Sequence, residues 1–533
     1  VPDPLTELRP AAAAPRPVEE LAAELGAGLH VLRPGRSRVS GVTLDSRQVR
    51  PGDLYAALPG QRTHGARHAG EAVGRGAVAL LTDREGAELA AGVGDEVALL
   101  VAEDPRAATA RLAAALYQHP AERLRMLAVT GTNGKTTTTV LLAAALRATG
   151  AVPATIGTLG FTVAGQPLRG PRTTVTTPEA PDLQALLAAV AGRGADAVAM
   201  EVSSHALVLR RTEPVVFDVA GFTNLGQDHL DFHADMAEYL AAKAQLFTPD
   251  HTRRAVVCLD SPAGAEIVRR AGAAGVPVTT TGLAPGADWT AEEVRPGPAA
   301  TSFVLVGPRG RWPVTLALPG SYNVSNAVLA LAMLDALGLD VAAAAAGLAD
   351  VVVPGRMQRL PLPEGSPGVV VDFAHTPQAV EATLAALRAD LDAAGHPGRL
   401  VAVFGCGGDR DRAKRRPMGE AGARLADVVV VTDDNPRSED PAAIRAEVLA
   451  GARALPVARA REVHDGGDRR SALRLALDLA RPGDVVAVLG KGHETGQEVG
   501  GVVTPFDDAQ VVTELVLGTV QATGGGGRAT TQR

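Results

Sequence analysis

The sequence predicts an α/β fold divided into about three domains, and three observations lead there. At 533 residues the chain exceeds what a single hydrophobic core usually organises. Hydrophobic residues make up 46% but aromatic ones only 3%, and Ala, Gly, Val and Leu dominate. That balance suits strands alternating with tightly packed helices better than an aromatic-rich sandwich. Short apolar runs, each followed by a polar loop and a helix-like stretch, recur along the chain. This is the pattern of a mostly parallel sheet with its ligand loops at the carboxyl ends of the strands.

Charge and cysteine content narrow the class further. A formal net charge of −7 with no long basic run offers no phosphate-tracking surface for nucleic acid, although a nucleotide-sized ligand remains open. Cys258 and Cys406 are too few and too far apart for a disulfide framework or a thiolate zinc site, and they fit a reducing cytoplasm. The opening residues carry no basic segment followed by an apolar one, and no apolar stretch is long enough to span a bilayer. A soluble protein without membrane insertion is expected, with Val1 leaving the natural start open.

The elements follow in order. Residues 1–17 are Pro/Ala-rich and read as a flexible arm, and residues 524–533 as a flexible tail. Runs at Val39–Leu44 and Ala77–Thr82, with turn signals at Pro51-Gly52-Asp53 and Pro59-Gly60, mark a small α/β domain over residues 18–124. Met126–Thr130 reads as a strand feeding a glycine turn, and Lys135–Ala148 as a helix. They open a central domain over residues 125–354. It continues through strand candidates Ala197–Val202 and Val215–Thr223, a β-rich stretch near Ser302–Leu318, and a helix from Asn323 to Leu337. Pro354-Gly355 reads as a hinge. In the third domain, residues 355–523, the apolar runs are Val369–Phe373, Leu400–Phe404, Asp427–Thr432 and Asp484–Leu489. No internal repeat of solenoid length is present.

Thr130-Gly131-Thr132-Asn133-Gly134-Lys135-Thr136-Thr137 places glycines, a lysine and a hydroxyl between a strand and a helix. Glycine lets backbone N–H groups approach phosphate oxygens and the helix N-terminus favours an anion. Lys135 would neutralise charge, and the Thr136 hydroxyl would ligate magnesium. The loop departs from the general Walker pattern, since Val129 stands where the first glycine is expected. The chain also lacks an Asn-Lys-x-Asp guanine-reading segment, so ATP is the expected nucleotide. A structural glycine turn with a chance Lys-Thr is the bland alternative. Glu201 ends a strand ahead of Ser203-Ser204-His205, and Asp228, His229, Asp231 and His233 cluster at another strand end. Alone, each cluster could cap helices or satisfy buried backbone; beside a phosphate loop they read as metal-holding and catalytic groups.

Together these residues resemble the Mur ligase family, in particular its members that add meso-diaminopimelate to a nucleotide-linked muramoyl dipeptide. The likeness spans almost the whole chain. It rests on Leu44-Asp45-Ser46-Arg47, the phosphate loop, Thr176-Thr177-Pro178-Glu179, Glu201-Val202-Ser203-Ser204-His205, Thr223-Asn224-Leu225 and Asp228-His229-Leu230-Asp231. It continues with Asn323-Val324-Ser325-Asn326, Pro354-Gly355-Arg356-Met357, Ala374-His375-Thr376-Pro377, Asp434-Asn435-Pro436-Arg437 and Gly490-Lys491-Gly492-His493-Glu494.

The resemblance implies an N-terminal domain holding the UDP end of the substrate, a central P-loop ATPase with a mostly parallel sheet, and a C-terminal Rossmann-like domain bringing the amino acid. The implied reaction is an ADP-forming ligation onto the D-glutamyl side carboxylate of UDP-N-acetylmuramoyl-L-alanyl-D-glutamate through an acyl phosphate, in peptidoglycan precursor synthesis.

By the same resemblance, Gly131 to Thr137 contact ATP, with Lys135 on phosphate. Thr136 and Glu201 contribute to one magnesium site and His229 to a second. Asn323 and Asn326 match the adenine side, while Arg356, Asp372 and His375 reach the nucleotide from the C-terminal domain. Lys243 matches a lysine carried as a carbamate formed from carbon dioxide, a metal-positioning group in place of an exposed helical lysine. Leu44, Ser46, Thr176, Thr177, Ser203 and Arg211 match the UDP-substrate positions. Leu209 departs from a glutamine found there in some relatives, which leaves that polar contact in doubt.

Diaminopimelate differs from lysine by a carboxylate beside its distal amine. Arg437 and Arg415 are placed against that carboxylate, because a guanidinium can grip it bidentately and lysine would leave buried arginine uncompensated. Asp434, Asn435 and Pro436 belong to the same segment, and Glu494 with the backbone at Gly490 is placed at the distal amine. The alternative for Arg437 is a surface ion pair with Glu439 or Asp440. A lysine-adding Mur ligase, a folylpolyglutamate synthase and a nucleotide-binding protein that lost ligation are the rival readings. Asp434-Asn435-Pro436-Arg437 disfavours the first and Leu44-Asp45-Ser46-Arg47 the second. The joint presence of Lys135, Glu201, His229 and Lys243 disfavours the third. A monomer is the default expectation.

Overall fold

Alternation along the Arg125–Thr130 strand explains the central domain. In the computed structural model, which describes residues 14–26, 28–34, 38–60, 63–168, 176–229, 232–297, 300–393 and 398–524, this strand lies inside an eight-stranded sheet. Successive side chains point to opposite faces. Leu127 and Val129 pack with Leu141 and Val328 from the helices Lys135–Ala148 and Ser321–Ala336. Met126 and Ala128 pack with Leu183 and Leu186 of the helix Ala180–Gly192. Both faces are covered, so the strand reads as an unbroken apolar run.

Its parallel partners are Ala197–Glu201 and Val219–Phe222, with Pro153–Gly157 beyond the first and Ala255–Cys258 and Val278–Thr281 beyond the second. An antiparallel hairpin, Gly160–Val163 and Gln166–Pro167, closes one edge.

The same logic builds the other two domains. In the C-terminal sheet the order is Gln358–Arg359, Gly368–Asp372, Val485–Leu489, Leu400–Phe404, Val428–Thr432 and Glu462–Gly467. All neighbours are parallel except Gln358–Arg359 at the edge. Ala402 and Phe404 face Leu384, Met418 and Val448, while Val401 and Val403 face Leu473 and Val512. The N-terminal sheet has five strands, in the order Leu29–Arg33, Ala98–Ala102, Ala79–Thr82, Asp53–Ala56 and Gly41–Thr43. Only Leu29–Arg33 runs antiparallel to its neighbour. The protein is thus α/β, with three domains each built on its own sheet.

Several elements depart from expectation. Arg16–Pro17, grouped with the opening arm on composition, pairs with Arg38–Val39; residues 1–13 and 525–533 of the arm and tail lie outside the described residues. The strand expected over Val215–Thr223 is shortened to Val219–Phe222. Glu462–Gly467 carries a single aliphatic residue yet forms an edge strand, since only one side of it needs a partner. The Pro354-Gly355 joint is packed: Gly355 has φ +65°, and a Cβ there would run into the backbone N of His493.

Phe404 is fully buried against the ring-sized gap that Gly422 leaves. Phe404→Ala is expected to cost ~3–5 kcal/mol, read as a lower urea midpoint for unfolding of the C-terminal domain with the other transitions unmoved.

Candidate active site

The loop after the Arg125–Thr130 strand is shaped by two glycines in conformations that side-chain-bearing residues rarely adopt. Gly131 has φ +149° and a Cβ there would collide with Thr223 Oγ1; Gly134 has φ +87° and a Cβ would sit 2.6 Å from Asn326 Oδ1. The loop is held from the neighbouring strand end. Asn224 accepts the Asn133 N–H at 2.9 Å and donates its amide to the Asn133 carbonyl at 3.1 Å, and the Thr223 hydroxyl reaches the same carbonyl at 2.6 Å. Thr132 Oγ1 takes the Gly226 N–H at 2.9 Å and meets the Tyr239 hydroxyl at 3.2 Å. The helix that follows begins at Lys135 with Thr136 and Thr137 buried, so its N-terminal N–H groups face the loop.

Glu201 ends the adjacent strand and is almost fully buried. Its Oε2 accepts the Thr136 hydroxyl at 3.0 Å and the Thr158 hydroxyl at 3.1 Å, and its Oε1 accepts the Thr158 N–H at 2.8 Å. Thr158 was not anticipated from sequence. The Gly157-Thr158 pair at the close of a strand is the local signal, because a Cβ at Gly157 would strike the Glu201 carboxylate.

The same acid joins the nucleotide loop to a second group of residues. Thr177 Oγ1 donates to the Glu201 carbonyl at 2.9 Å and accepts from Ser203 N at 3.2 Å; Arg211 donates to the Thr177 carbonyl at 3.2 Å and pairs with Glu179 at 2.7 Å. Thr176 meets Thr158 at 3.3 Å. Leu44 lies in a shallow cleft with Leu58, Arg106, Glu179 and Leu209 at the junction with the N-terminal domain. Ser46, deeper in that domain, donates to Glu71 at 2.9 Å.

Two lysines converge on one oxygen. Lys135 Nζ donates to the carbonyls of Gly131 and Thr132, both at 2.9 Å, and Lys243 Nζ donates to the same Gly131 carbonyl at 2.9 Å. Lys243 is buried and stands over the Tyr239 ring, 4.4 Å from its centre. Burial, helped by the Lys135 charge, pushes its pKa well below the usual lysine range; burial also lowers that of Lys135, against the pull of Glu201 and Asp228.

His229, in the left-handed region at φ +55°, meets His205 edge-on with ring centres 4.9 Å apart, and His205 stacks on Phe232. Burial brings the His229 pKa down to about 4 although Asp228 opposes it, so the imidazole is neutral and able to ligate a metal. Burial alone would raise Asp228, but His229 and His375 together hold its carboxyl below the usual range. His233 contacts Ser204 at 2.9 Å, and Asp231 lies outside the described residues.

The C-terminal domain reaches this centre through Arg356. Its Nη2 lies 3.5 Å from Thr136 Oγ1 and its guanidinium stacks 4.2 Å from the centre of the Phe373 ring. Asp372 is tied to Met357 N at 2.6 Å and Ala374 N at 2.9 Å, with its pKa raised by burial. His375 Nδ1 donates to the Phe373 carbonyl at 2.8 Å. Asn323 donates to the Pro319 carbonyl at 2.7 Å, and Asn326 meets Asn323 at 3.3 Å beside Gly134.

Oxygen donors suit magnesium, which takes one or two carboxylates plus phosphate oxygens and water. Thr136 and Glu201 are such a pair, beside a glycine loop at a helix N-terminus that favours an anion, so the residues fit a magnesium nucleotide. Among the described residues no group of three or more His, Cys, Asp or Glu side chains is gathered for a metal.

The loops after Val428–Thr432 and Val485–Leu489 meet above the C-terminal sheet. Asn435 donates to Glu494 at 2.9 Å, and Lys491, fully buried and assigned no role from sequence, donates to Glu494 at 3.1 Å and to the Gly496 carbonyl at 2.6 Å. A Cβ at Gly490 would press on the Asp434 carboxylate, and Pro436 closes over Gly408.

Arg437 has φ +53°, donates to the Gly408 carbonyl at 2.7 Å, and finds its acidic neighbour in Glu498 at 3.7 Å, with Glu439 taken up elsewhere. Arg415 differs in setting. It is buried and bound to Glu439 at 2.9 Å and Glu447 at 3.1 Å, so it stands behind the loop as part of an ion-pair network.

A phosphate cradle in one domain, reached by an arginine from a Rossmann-like domain that carries its own polar loops, defines a nucleotide-dependent enzyme that works across a domain junction. Residues 129–334 match the Mur ligase middle domain, residues 355–492 the Mur ligase glutamate ligase domain, and residues 38–130 the Mur ligase family catalytic domain. The UDP-N-acetylmuramoyl-L-alanyl-D-glutamate--2,6-diaminopimelate ligase of Streptomyces coelicolor is 49% identical over 514 residues, 95% of this chain and 98% of that protein.

A solved structure of a UDP-N-acetylmuramoyl-L-alanyl-D-glutamate--2,6-diaminopimelate ligase superposes with a TM-score of 0.64 at 33% identity, covering 91% of this chain and 96% of that one. A Mycobacterium tuberculosis folylpolyglutamate synthase complexed with ADP superposes with a TM-score of 0.60 at 22% identity, over 78% of this chain and 94% of that one, a likeness of fold alone. This chain belongs to the Mur ligase family.

Gly131→Ala introduces both a strained backbone and a collision with Thr223. It is expected to weaken ADP binding by at least about tenfold, measured by titration calorimetry, while the far-ultraviolet spectrum stays unchanged.

Proposed function

We propose that this chain joins meso-2,6-diaminopimelate to the D-glutamyl side carboxylate of UDP-N-acetylmuramoyl-L-alanyl-D-glutamate, forming ADP and phosphate, in peptidoglycan precursor synthesis. The observation that carries this reading is the near-full-length likeness to ligases of that name, and the geometry of the phosphate cradle and the acceptor loops supports it. ATP and a UDP-linked precursor are cytoplasmic compounds, which supports a cytoplasmic place of action.

A carboxylate is a poor electrophile because its charge is delocalised over both oxygens. Bound with magnesium, ATP supplies the phosphoryl group that turns that carboxylate into an acyl phosphate; the acceptor amine then forms the C–N bond as phosphate leaves and the amine proton is lost. Lys135, now folded onto two carbonyls, has only to turn outward to meet phosphate. Thr136 and Glu201 would hold one magnesium, with Thr158 aiming the carboxylate, and the neutral His229 ring would offer a nitrogen to a second. Arg356 brings positive charge from the C-terminal domain, and the closed junction keeps water from the acyl phosphate.

Lys243 serves as a carbamate. Two ammonium groups on one buried carbonyl repel each other, and burial favours the neutral amine at Lys243. A neutral amine can attack carbon dioxide: the N–C bond forms, one proton leaves, and an anion replaces a neutral amine beside Lys135. Arg437 grips the distal carboxylate of diaminopimelate, Arg415 braces it through Glu439, and Glu494 with the Gly490 backbone takes the distal amine. Lysine would leave Arg437 without that partner.

Mass spectrometry of products from ATP, the UDP-linked dipeptide and an equal mixture of meso-diaminopimelate and lysine tests the reading. The diaminopimelate tripeptide is expected to dominate, and a lysine product or no product would overturn it. Lys243→Ala is expected to lose most activity and regain part of it with an added short-chain carboxylate; full activity without one would remove the carbamate. Arg437→Ala is expected to raise the KM for diaminopimelate roughly tenfold or more with the KM for ATP unchanged, in steady-state assays of ADP release.

A further inference from the structure

Behind the acceptor loops lies an ion pair that the reaction scheme does not use. Arg469, the first residue of the helix Arg469–Leu479, and Asp508, the first of the helix Asp508–Gly524, have side chains with 0% exposure. The contact is bidentate, with Nε to Oδ1 and Nη2 to Oδ2 both at 2.7 Å. The guanidinium has donors left over. Nη2 also reaches the Leu489 carbonyl at 2.9 Å, and Nη1 the Asp433 carbonyl at 3.4 Å. Leu489 immediately precedes Gly490, and Asp433 immediately precedes Asp434.

Leu489 ends one strand and Asp433 directly follows another, and these strands are not neighbours. Leu400–Phe404 lies between Val485–Leu489 and Val428–Thr432, so the two strand ends share no ladder of backbone hydrogen bonds where the loops begin. Above the sheet Asn435 donates to Glu494, and beyond the Gly490–Glu494 turn a backbone bridge joins Arg437 to the hairpin, with Arg437 N–H on the Glu498 carbonyl and Gly500 N–H on the Arg437 carbonyl. Asp508 holds the planar fork of Arg469 in one orientation, and that fork spans the gap below. A fully buried ion pair is a poor stability device, because apolar residues of similar volume often serve as well or better. Its bridging geometry needs a different explanation.

We propose that Arg469, held by Asp508, is a positioning residue for the acceptor amino acid, fixing the Asp434–Arg437 and Gly490–Glu494 loops at the spacing that lets both grip its distal amine and carboxylate together. This rests on the acceptor assignment above. Charged-group recognition falls off when the two halves of a site shift by about an ångström, at a cost on the order of tenfold to a hundredfold.

Arg469→Lys keeps a cation for Asp508 but cannot bridge both carbonyls. The double variant Arg469→Met/Asp508→Leu removes the charges and the bridge together while keeping apolar volume. For each, the KM values for meso-diaminopimelate, ATP and the UDP-linked dipeptide and the thermal midpoint are measured beside the parent enzyme. The expected result is a folded protein whose KM for diaminopimelate rises on the order of tenfold or more while the other two stay within about twofold.

An unchanged KM for diaminopimelate in a folded variant overturns the proposal. So does a parallel change in all three KM values, or failure of both variants to fold, since either marks the pair as structural only. A parent enzyme inactive with diaminopimelate would remove the acceptor assignment itself, a result distinct from an active parent with indifferent variants.

Discussion

The carbonyl oxygen of Gly131 is the point on which the central domain's electrostatics turn. Lys135 and Lys243 both donate to it, and Arg356 stands nearby on Thr136. So much positive charge in a buried place is tolerable only where anions are to be held, and Glu201 and Asp228 are the acids placed to balance it from the protein side. The glycine backbone makes this arrangement possible, because any Cβ at residue 131 would displace Thr223 and with it the strap that holds Asn133. The depressed lysine pKa follows from burial next to a like charge, and a group that becomes anionic at Lys243 would relieve it.

The acceptor side answers a different constraint. Its loops rise from strand ends separated by a third strand, and the acceptor proposed for them carries both signs of charge. Arg437 is held in the left-handed region by the hairpin beside it, with its N–H on the Glu498 carbonyl at 3.1 Å and its carbonyl taken by Gly500 N at 2.7 Å. Such a conformation persists only where surrounding contacts determine it. Charge neutralisation beneath the loops, at Arg469 and Asp508, and behind them, at Arg415 with Glu439 and Glu447, allows polar groups to be carried on a rigid sheet.

Much of the fold was legible because buried parallel strands announce themselves as apolar runs. Leu400–Phe404 and the helix Lys135–Ala148 lie where the pattern puts them. Glu462–Gly467 escaped, since an edge strand needs few apolar residues. The phosphate loop could be read from residue types alone because its chemistry depends on backbone shape and on two adjacent side chains. Thr158 and Lys491 could not. Their roles come from contacts with Glu201 and Glu494, and a threonine or lysine in a loop carries no local mark of such a partner.

By itself the sequence determined the α/β class, the strand–loop–helix order that creates an anion site, and the family, because periodicity and motif order are properties of neighbouring residues. Tertiary structure alone decided which polar groups meet: Lys135 with Lys243 across 108 positions, Thr136 with Arg356 across 220, Arg469 with two loops it does not belong to. Electrostatic energy depends on distance in space and on burial, and neither is written in the spacing along the chain.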